Sequence, residues 1–162
     1  MYLKQSDIFW GTGKEFMKQV MDISVKESHN RGDFLFREGD EADSFYTLIK
    51  GRIRLSIGET GQTVYTVSRA GEAFGWSSLV GRDVYTSSAE CIEPTSLMKI
   101  DREKLLKIME KDTSSGLILF KQLAGTLGNR LLQIYKRIST ASEKDFPVSY
   151  GSGQVVESVE FE

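Results

Sequence analysis

Between Gly71 and Ser88 the chain gathers glycines, hydroxyls and one cation at spacings that suit an anion. The run is Gly71-Glu72-Ala73-Phe74-Gly75-Trp76-Ser77-Ser78-Leu79, with Arg82 in the loop that follows and Tyr85-Thr86-Ser87-Ser88 after it. A short helix opening at Gly75 would present backbone N–H groups without intrahelical partners, and the helix dipole favours negative charge there. Glycine lets the backbone approach such a group closely. The hydroxyls of Thr86, Ser87 and Ser88 can donate or accept. This is the chemistry of binding, not of bond breaking.

The rest of the composition excludes most alternatives. The chain has one histidine, His29, and one cysteine, Cys91. A metal site built on several imidazoles is therefore excluded. A Ser-His-Asp or Cys-His catalytic set would have to use His29, which lies beside Asn30-Arg31-Gly32-Asp33, a polar turn. Cys91 falls in an alternating strand pattern and is expected to be a buried, reduced thiol. The net charge is −2, and nothing suggests a basic nucleic-acid-binding surface. No apolar run approaches the roughly 18 residues of a membrane span, and the start lacks an apolar signal-peptide core. The expectation is a cytoplasmic protein, not an enzyme, with no metal or cofactor and no direct nucleic-acid or membrane partner.

Elements that could position the segment follow from periodicity. Phe16, Met17, Val20 and Met21 share one face of a helix over 12–21, with Thr12 and Glu15 spaced as a capping box. From residue 23 the period changes to two. Ile23 to Glu27, Phe34–Phe36, Phe45–Ile49, Arg52–Ile57, Thr63–Val67, Thr86–Ile92 and Ser96–Ile100 predict short strands separated by Gly-, Asp- and Pro-containing turns. Such spacing predicts an antiparallel sandwich or barrel. Ile53, Leu55 and Ile57 alternate with Arg52, Arg54 and Ser56, one face apolar and the other wet.

Helical periodicity returns at Asp101, whose carboxylate suits an N-cap for a helix carrying Leu105, Leu106, Ile108 and Met109. Asp112-Thr-Ser-Ser115 offers caps for a long helix over about 115–139, about 36 Å at 1.5 Å per residue. Leu117, Phe120, Ala124, Leu127, Leu131, Ile134 and Ile138 are spaced 3-4-3-4-3-4, a coiled-coil seam. Leu119, Leu123 and Tyr135 form a second row that can lie back on the sheet. Two apolar faces on one helix call for two partners, and the second is expected to be another copy of the chain. The final segment, 140–162, reads as a flexible or strand-like acidic tail.

The order of helix, jelly roll, short helix and long helix resembles the cyclic-nucleotide-binding domains of the catabolite activator and kinase regulatory-subunit type. The resemblance runs from about residue 10 to 138, with the barrel over about 22–100 and the C-terminal helices over about 101–139. Arg37-Glu38-Gly39-Asp40, Phe45-Tyr46 and Gly51 before Arg52-Ile-Arg-Leu55 are similar to the family's glycine-punctuated strand pairs. Gly71-Glu72-x-Phe74-Gly75 is similar to the opening of its phosphate-binding cassette. The resemblance implies a mainly β fold with flanking helices: an antiparallel jelly-roll barrel, a short N-terminal helix, and a C-terminal pair whose long member dimerises.

It also implies a ligand site at Phe74, Gly75, Trp76, Ser77, Ser78, Leu79, Arg82, Tyr85, Thr86 and Ser87. In the family an Arg closes on the exocyclic phosphate oxygens and a Glu takes the ribose 2′-hydroxyl. Here Tyr85 stands at the Arg position and Trp76 at the Glu position. A buried charged hydrogen bond contributes about 1.5–3 kcal/mol, so losing two lowers affinity by about two to four orders of magnitude. Arg82 is a candidate to replace the missing cation. Trp76 either fills the space of the ribose, packs under the cassette, or stacks on a flat ligand.

The expected function is a regulatory sensor that binds a cyclic nucleotide weakly, or another nucleotide-like or anionic ligand, and relays it through the long helix to an unknown downstream protein. The alternative is a ligand-free interaction and dimerisation scaffold that has lost nucleotide binding.

Overall fold

The computed structural model describes residues 7–141. The expected tail over 140–162 lies outside the described residues apart from Thr140 and Ala141, which end a helix. Eight strands are formed: β1 Ser24–His29, β2 Phe34–Phe36, β3 Ser44–Lys50, β4 Ile53–Ile57, β5 Gln62–Val67, β6 Ala73–Phe74, β7 Ser88–Cys91 and β8 Thr95–Asp101. They build two antiparallel four-stranded sheets, ordered β1-β8-β3-β6 and β2-β7-β4-β5. The jelly-roll expectation holds, with the barrel built as two facing sheets. Helices α1 Lys14–Ile23, α2 Arg102–Lys111 and α3 Thr113–Ala141 flank them, and one 3-10 turn, Asp7–Phe9, precedes α1.

Strand alternation divides the core in two, because successive side chains leave opposite faces of a sheet. Tyr46 and Leu48 of β3 and Leu97 of β8 point between the sheets, where they join Phe36, Ile53, Leu55, Val67, Phe74, Tyr85, Ala89 and Cys91. Phe45 and Ile100 leave the other face and meet the helices, packing with Phe16, Val20, Leu105, Ile108, Leu119 and Leu123. Cys91 is a buried thiol, as its strand position predicts. The first sheet is thus the middle layer of three.

The caps match the sequence at α2 and not at α1. The Asp101 carboxylate accepts from the Lys104 N–H at 2.9 Å, and the Asp112 carboxylate accepts from the Ser115 N–H at 3.0 Å. The second bond holds the Asp112 carboxyl below its usual range. The expected Thr12–Glu15 box is absent. Gly13 is the N-cap residue of α1, and the Thr12 hydroxyl turns back to the Phe9 carbonyl at 2.8 Å. Met21, expected on the buried face, is 41% exposed, and Tyr135, expected against the sheet, is 55% exposed. Val25 also points outward from β1, an edge strand.

Contacts divide the chain after Gly128, so the sheets, α1, α2 and the start of α3 form one compact unit. Within it, Ser115, Gly116, Leu119 and Leu123 are the buried face of α3.

Gly51 joins β3 to β4 at φ +111°, and a Cβ there would lie 2.5 Å from Thr95 Oγ1 and 2.7 Å from Thr95 Cα. The left-handed φ costs a non-glycine residue about 1–3 kcal/mol, and the collision with β8 costs about as much again. Gly51→Ala should therefore lower the melting temperature by roughly 6–20 °C, read by circular dichroism; an unchanged melt would mean that neither the φ nor the collision with β8 is costly.

Candidate functional site: a cassette closed on the barrel interior

The cassette begins at the β5–β6 connection. Glu72, 2% exposed, accepts from the Ser68 and Arg69 N–H groups at 3.1 and 3.2 Å and from the Tyr65 hydroxyl. A buried carboxylate is tolerated when its lone pairs are used in this way. It pins the turn that delivers Phe74 into the barrel, where the Phe74 ring stacks on Tyr46 at 5.2 Å.

Gly75 follows in the left-handed region, φ 77° and ψ 27°. A Cβ there would lie 3.0 Å from the Tyr46 ring and 3.2 Å from the Ser44 carbonyl oxygen, so only glycine brings the backbone this close. The expected helix at Gly75 is a single 3-10 turn, Trp76–Ser78. The Ser78 hydroxyl donates to the Gly75 carbonyl at 2.8 Å, and the Ser77 and Thr86 hydroxyls lie 3.4 Å apart. Ser77, Ser78 and Leu79 are buried, Ser87 is partly covered, and Thr86 is exposed.

The two positions that define the family's ligand contacts go opposite ways. Trp76 is partly buried and packs with the cluster beneath the helices, so it lies under the cassette. Arg82 is exposed, with its guanidinium 5.8 Å from the Trp76 ring centroid. That geometry is a cation–π contact.

Tyr85 turns into the barrel and is 3% exposed. Its ring stacks on Phe36 at 3.7 Å between centroids. Its hydroxyl accepts from the Ser44 N–H at 3.1 Å and donates to the Ser44 carbonyl at 2.5 Å. Backbone bonds hold the loop that carries it: Tyr85 N–H to the Asp40 carbonyl at 2.9 Å, Gly39 N–H to the Tyr85 carbonyl at 2.9 Å, and Ala42 N–H to the Asp83 carbonyl at 2.8 Å. Burial raises the Tyr46 hydroxyl to about 12 and pushes the Tyr85 hydroxyl higher still, helped by its neighbour Tyr46.

Three groups absent from the sequence-derived set complete this arrangement: Phe36, Ser44 and Tyr46. The period-two pattern of β3 places Tyr46 on the inner face, but which way Tyr85 turns depends on the loop pairing with Asp40–Ala42, and no local pattern carries that. Among the described residues there is no group of three His, Cys, Asp or Glu side chains suited to a metal.

Removing the Tyr85 hydroxyl leaves a buried backbone donor and acceptor at Ser44. Tyr85→Phe should cost about 1–3 kcal/mol, measured by urea denaturation. Both tyrosines keep their protons in the folded state above the pH at which unfolded tyrosine, near 10, loses its own. Their contribution is fully present below pH 10 and falls as pH rises towards 12. Alkaline denaturation, followed by tyrosinate absorbance, should be shallower in Tyr85→Phe than in the unmodified chain.

The sequence model of the cyclic nucleotide-binding domain matches residues 26–112. A cGMP-dependent protein kinase of Drosophila melanogaster is 28% identical over 107 residues, covering 63% of this chain and 12% of the kinase. The cyclic AMP receptor protein of Thermus thermophilus is 26% identical over 111 residues, 67% of this chain and 51% of that protein. This chain thus spans only a small part of the kinase and half of the receptor. Among solved structures, a cyclic nucleotide-binding protein of Geobacter metallireducens superposes with a TM-score of 0.72 at 29% identity, covering 80% of this chain and 95% of its own. A cyclic nucleotide-binding domain of Methylobacillus flagellatus, 20% identical with a TM-score of 0.76 over 90% of this chain and 85% of its own, shares the fold. By sequence and by the architecture of sheets, cassette and helices, the chain belongs to the cyclic nucleotide-binding domain family.

Proposed function

We propose that this regulatory domain works as an interaction scaffold whose cassette is a structural joint, and that α3 pairs it with a second copy. The carrying observation is Tyr85. At the position where the family's resemblance implies a phosphate-clamping Arg, a neutral ring fills the barrel interior and spends its hydroxyl on Ser44. Trp76, at the Glu position, is committed to the helix-side core. Neither side chain is left to compensate a phosphate charge or a ribose hydroxyl.

The seam on α3 supports the pairing. Leu117 is 63% exposed and Phe120 37%, and Leu131, Ile134 and Ile138 are also exposed. Ala124 is exposed as well, whereas Leu127 packs partly on the helix-side core. A row of apolar side chains at heptad spacing is stabilised by a matching row on another helix. No helix among the described residues is long and apolar enough to cross a membrane. In this reading the protein is cytoplasmic, has no catalytic activity, and contacts no nucleic acid itself.

A second reading, a weak sensor for a cyclic nucleotide or another small anion, is favoured by one observation: the hydroxyl pair of buried Ser77 and exposed Thr86 in the cassette. Calorimetry separates the two. Titration with cyclic AMP and with cyclic GMP to millimolar concentration should give no saturable heat; a saturable heat selects the sensor. Light scattering tests the pairing. The chain should be a dimer and Leu131→Asp a monomer that keeps its folded circular dichroism spectrum, and a monomeric unmodified chain removes the pairing from the proposal.

A further inference from the structure

A concave surface lies along α1 beside its buried face, with Met17 on the shared edge. The groove measures about 720 Å³ and is walled by Phe9, Trp10, Met17 and Met21. That volume falls within the range of small-molecule sites, about 300–1,000 Å³. Trp10 is 70% exposed and Met21 41%. The wall is fixed: the Trp10 carbonyl accepts from Gln122 Nε2 at 3.3 Å, and the Phe9 carbonyl accepts from the Thr12 hydroxyl. The indole is thus presented to solvent by an anchored backbone.

The rim carries the second observation. Lys14 and Lys18 both line the groove and stand one helical turn apart, where like charges repel. Among the described residues neither ammonium has a carboxylate within 4.0 Å. Asp22, one turn beyond Lys18, also lines the groove and leaves the rim with one net positive charge. An apolar trough whose rim carries two lysines and one aspartate, a net positive charge, is complementary to a molecule with an apolar tail and an anionic head.

We infer that the α1 groove binds a long-chain acyl carboxylate, its tail along Phe9, Trp10, Met17 and Met21 and its head group between Lys14 and Lys18. Each methylene taken from water favours binding roughly fourfold, so the tail supplies the affinity and the lysines the orientation. The site is separate from the cassette and does not depend on what the cassette binds.

The test uses Trp10 as its own reporter. Hexadecanoate, kept monomeric, should shift the tryptophan emission of the full chain to the blue and saturate. The shift should vanish in Trp10→Phe, which retains Trp76. Lys14→Glu with Lys18→Glu, both at exposed positions, should fold normally and weaken the titration about tenfold. Hexadecanol, with the same tail and no charge, should also bind about tenfold more weakly. Four outcomes overturn the inference: no saturable shift, equal affinity for hexadecanol and hexadecanoate, a shift only with hexadecanoate-bearing phosphatidylcholine vesicles, or a Trp10 emission already blue before any addition.

Discussion

The double hydrogen bond between the Tyr85 hydroxyl and the Ser44 peptide ties the cassette to the barrel, and much of the structure depends on it. Ser44 opens β3, one of the two inner strands of the first sheet, which pairs with both β8 and β6. Its neighbour Phe45 anchors the helix-side core, and Tyr46 anchors the barrel interior. A bond at this point therefore connects the cassette loop, both cores and the strand between them. The Tyr85–Phe36 stack adds the second sheet, because Phe36 ends β2. In a site closed to water such a network is worth more than its members counted singly, since each unmet group would be costly.

The legible parts of the fold are those where one local pattern decides. Period two in Ile53, Leu55 and Ile57 marks β4, although Ile57 at its end is 42% exposed. Asp101 caps α2 because a carboxylate before a helix has few better uses than the free N–H groups of the first turn. Thr12 had a rival partner, the Phe9 carbonyl in the preceding 3-10 turn, and took it. Strand β6 escaped because two residues carry no period; it exists through its pairing with Tyr46 and Thr47. At the candidate site, the glycine at 75 and the loss of Arg and Glu were legible from residue type. The inward turn of Tyr85 was not, and the packing of Trp76 was one of several readings left open, since both depend on contacts far apart in sequence.

The two aromatic replacements have complementary consequences. Trp76 gives the short 3-10 turn a hydrophobic footing on the helices, and Arg82 covers its exposed side. Tyr85 gives the returning loop a footing inside the barrel. The cassette backbone is thus held from below and from within by its own side chains. Ser78, bonded to the Gly75 carbonyl, closes the turn itself. On the proposed reading, these side chains hold the cassette backbone in shape without a bound anion.

That persistence bears on why a tyrosine suits this position. An Arg held at 3% exposure with no anion beside it would leave a desolvated charge, which is strongly destabilising. Such a residue makes the closed cassette conditional on ligand, because binding stabilises only the state that binds. A tyrosine carries no charge to compensate, and its hydroxyl meets a backbone donor and a backbone acceptor already present at Ser44. The closed geometry then, on the proposed reading, belongs to the free protein. On the proposed reading this is the functional change: the joint between barrel and helices is set constitutively, and the exposed seam of α3 is presented without a small-molecule signal.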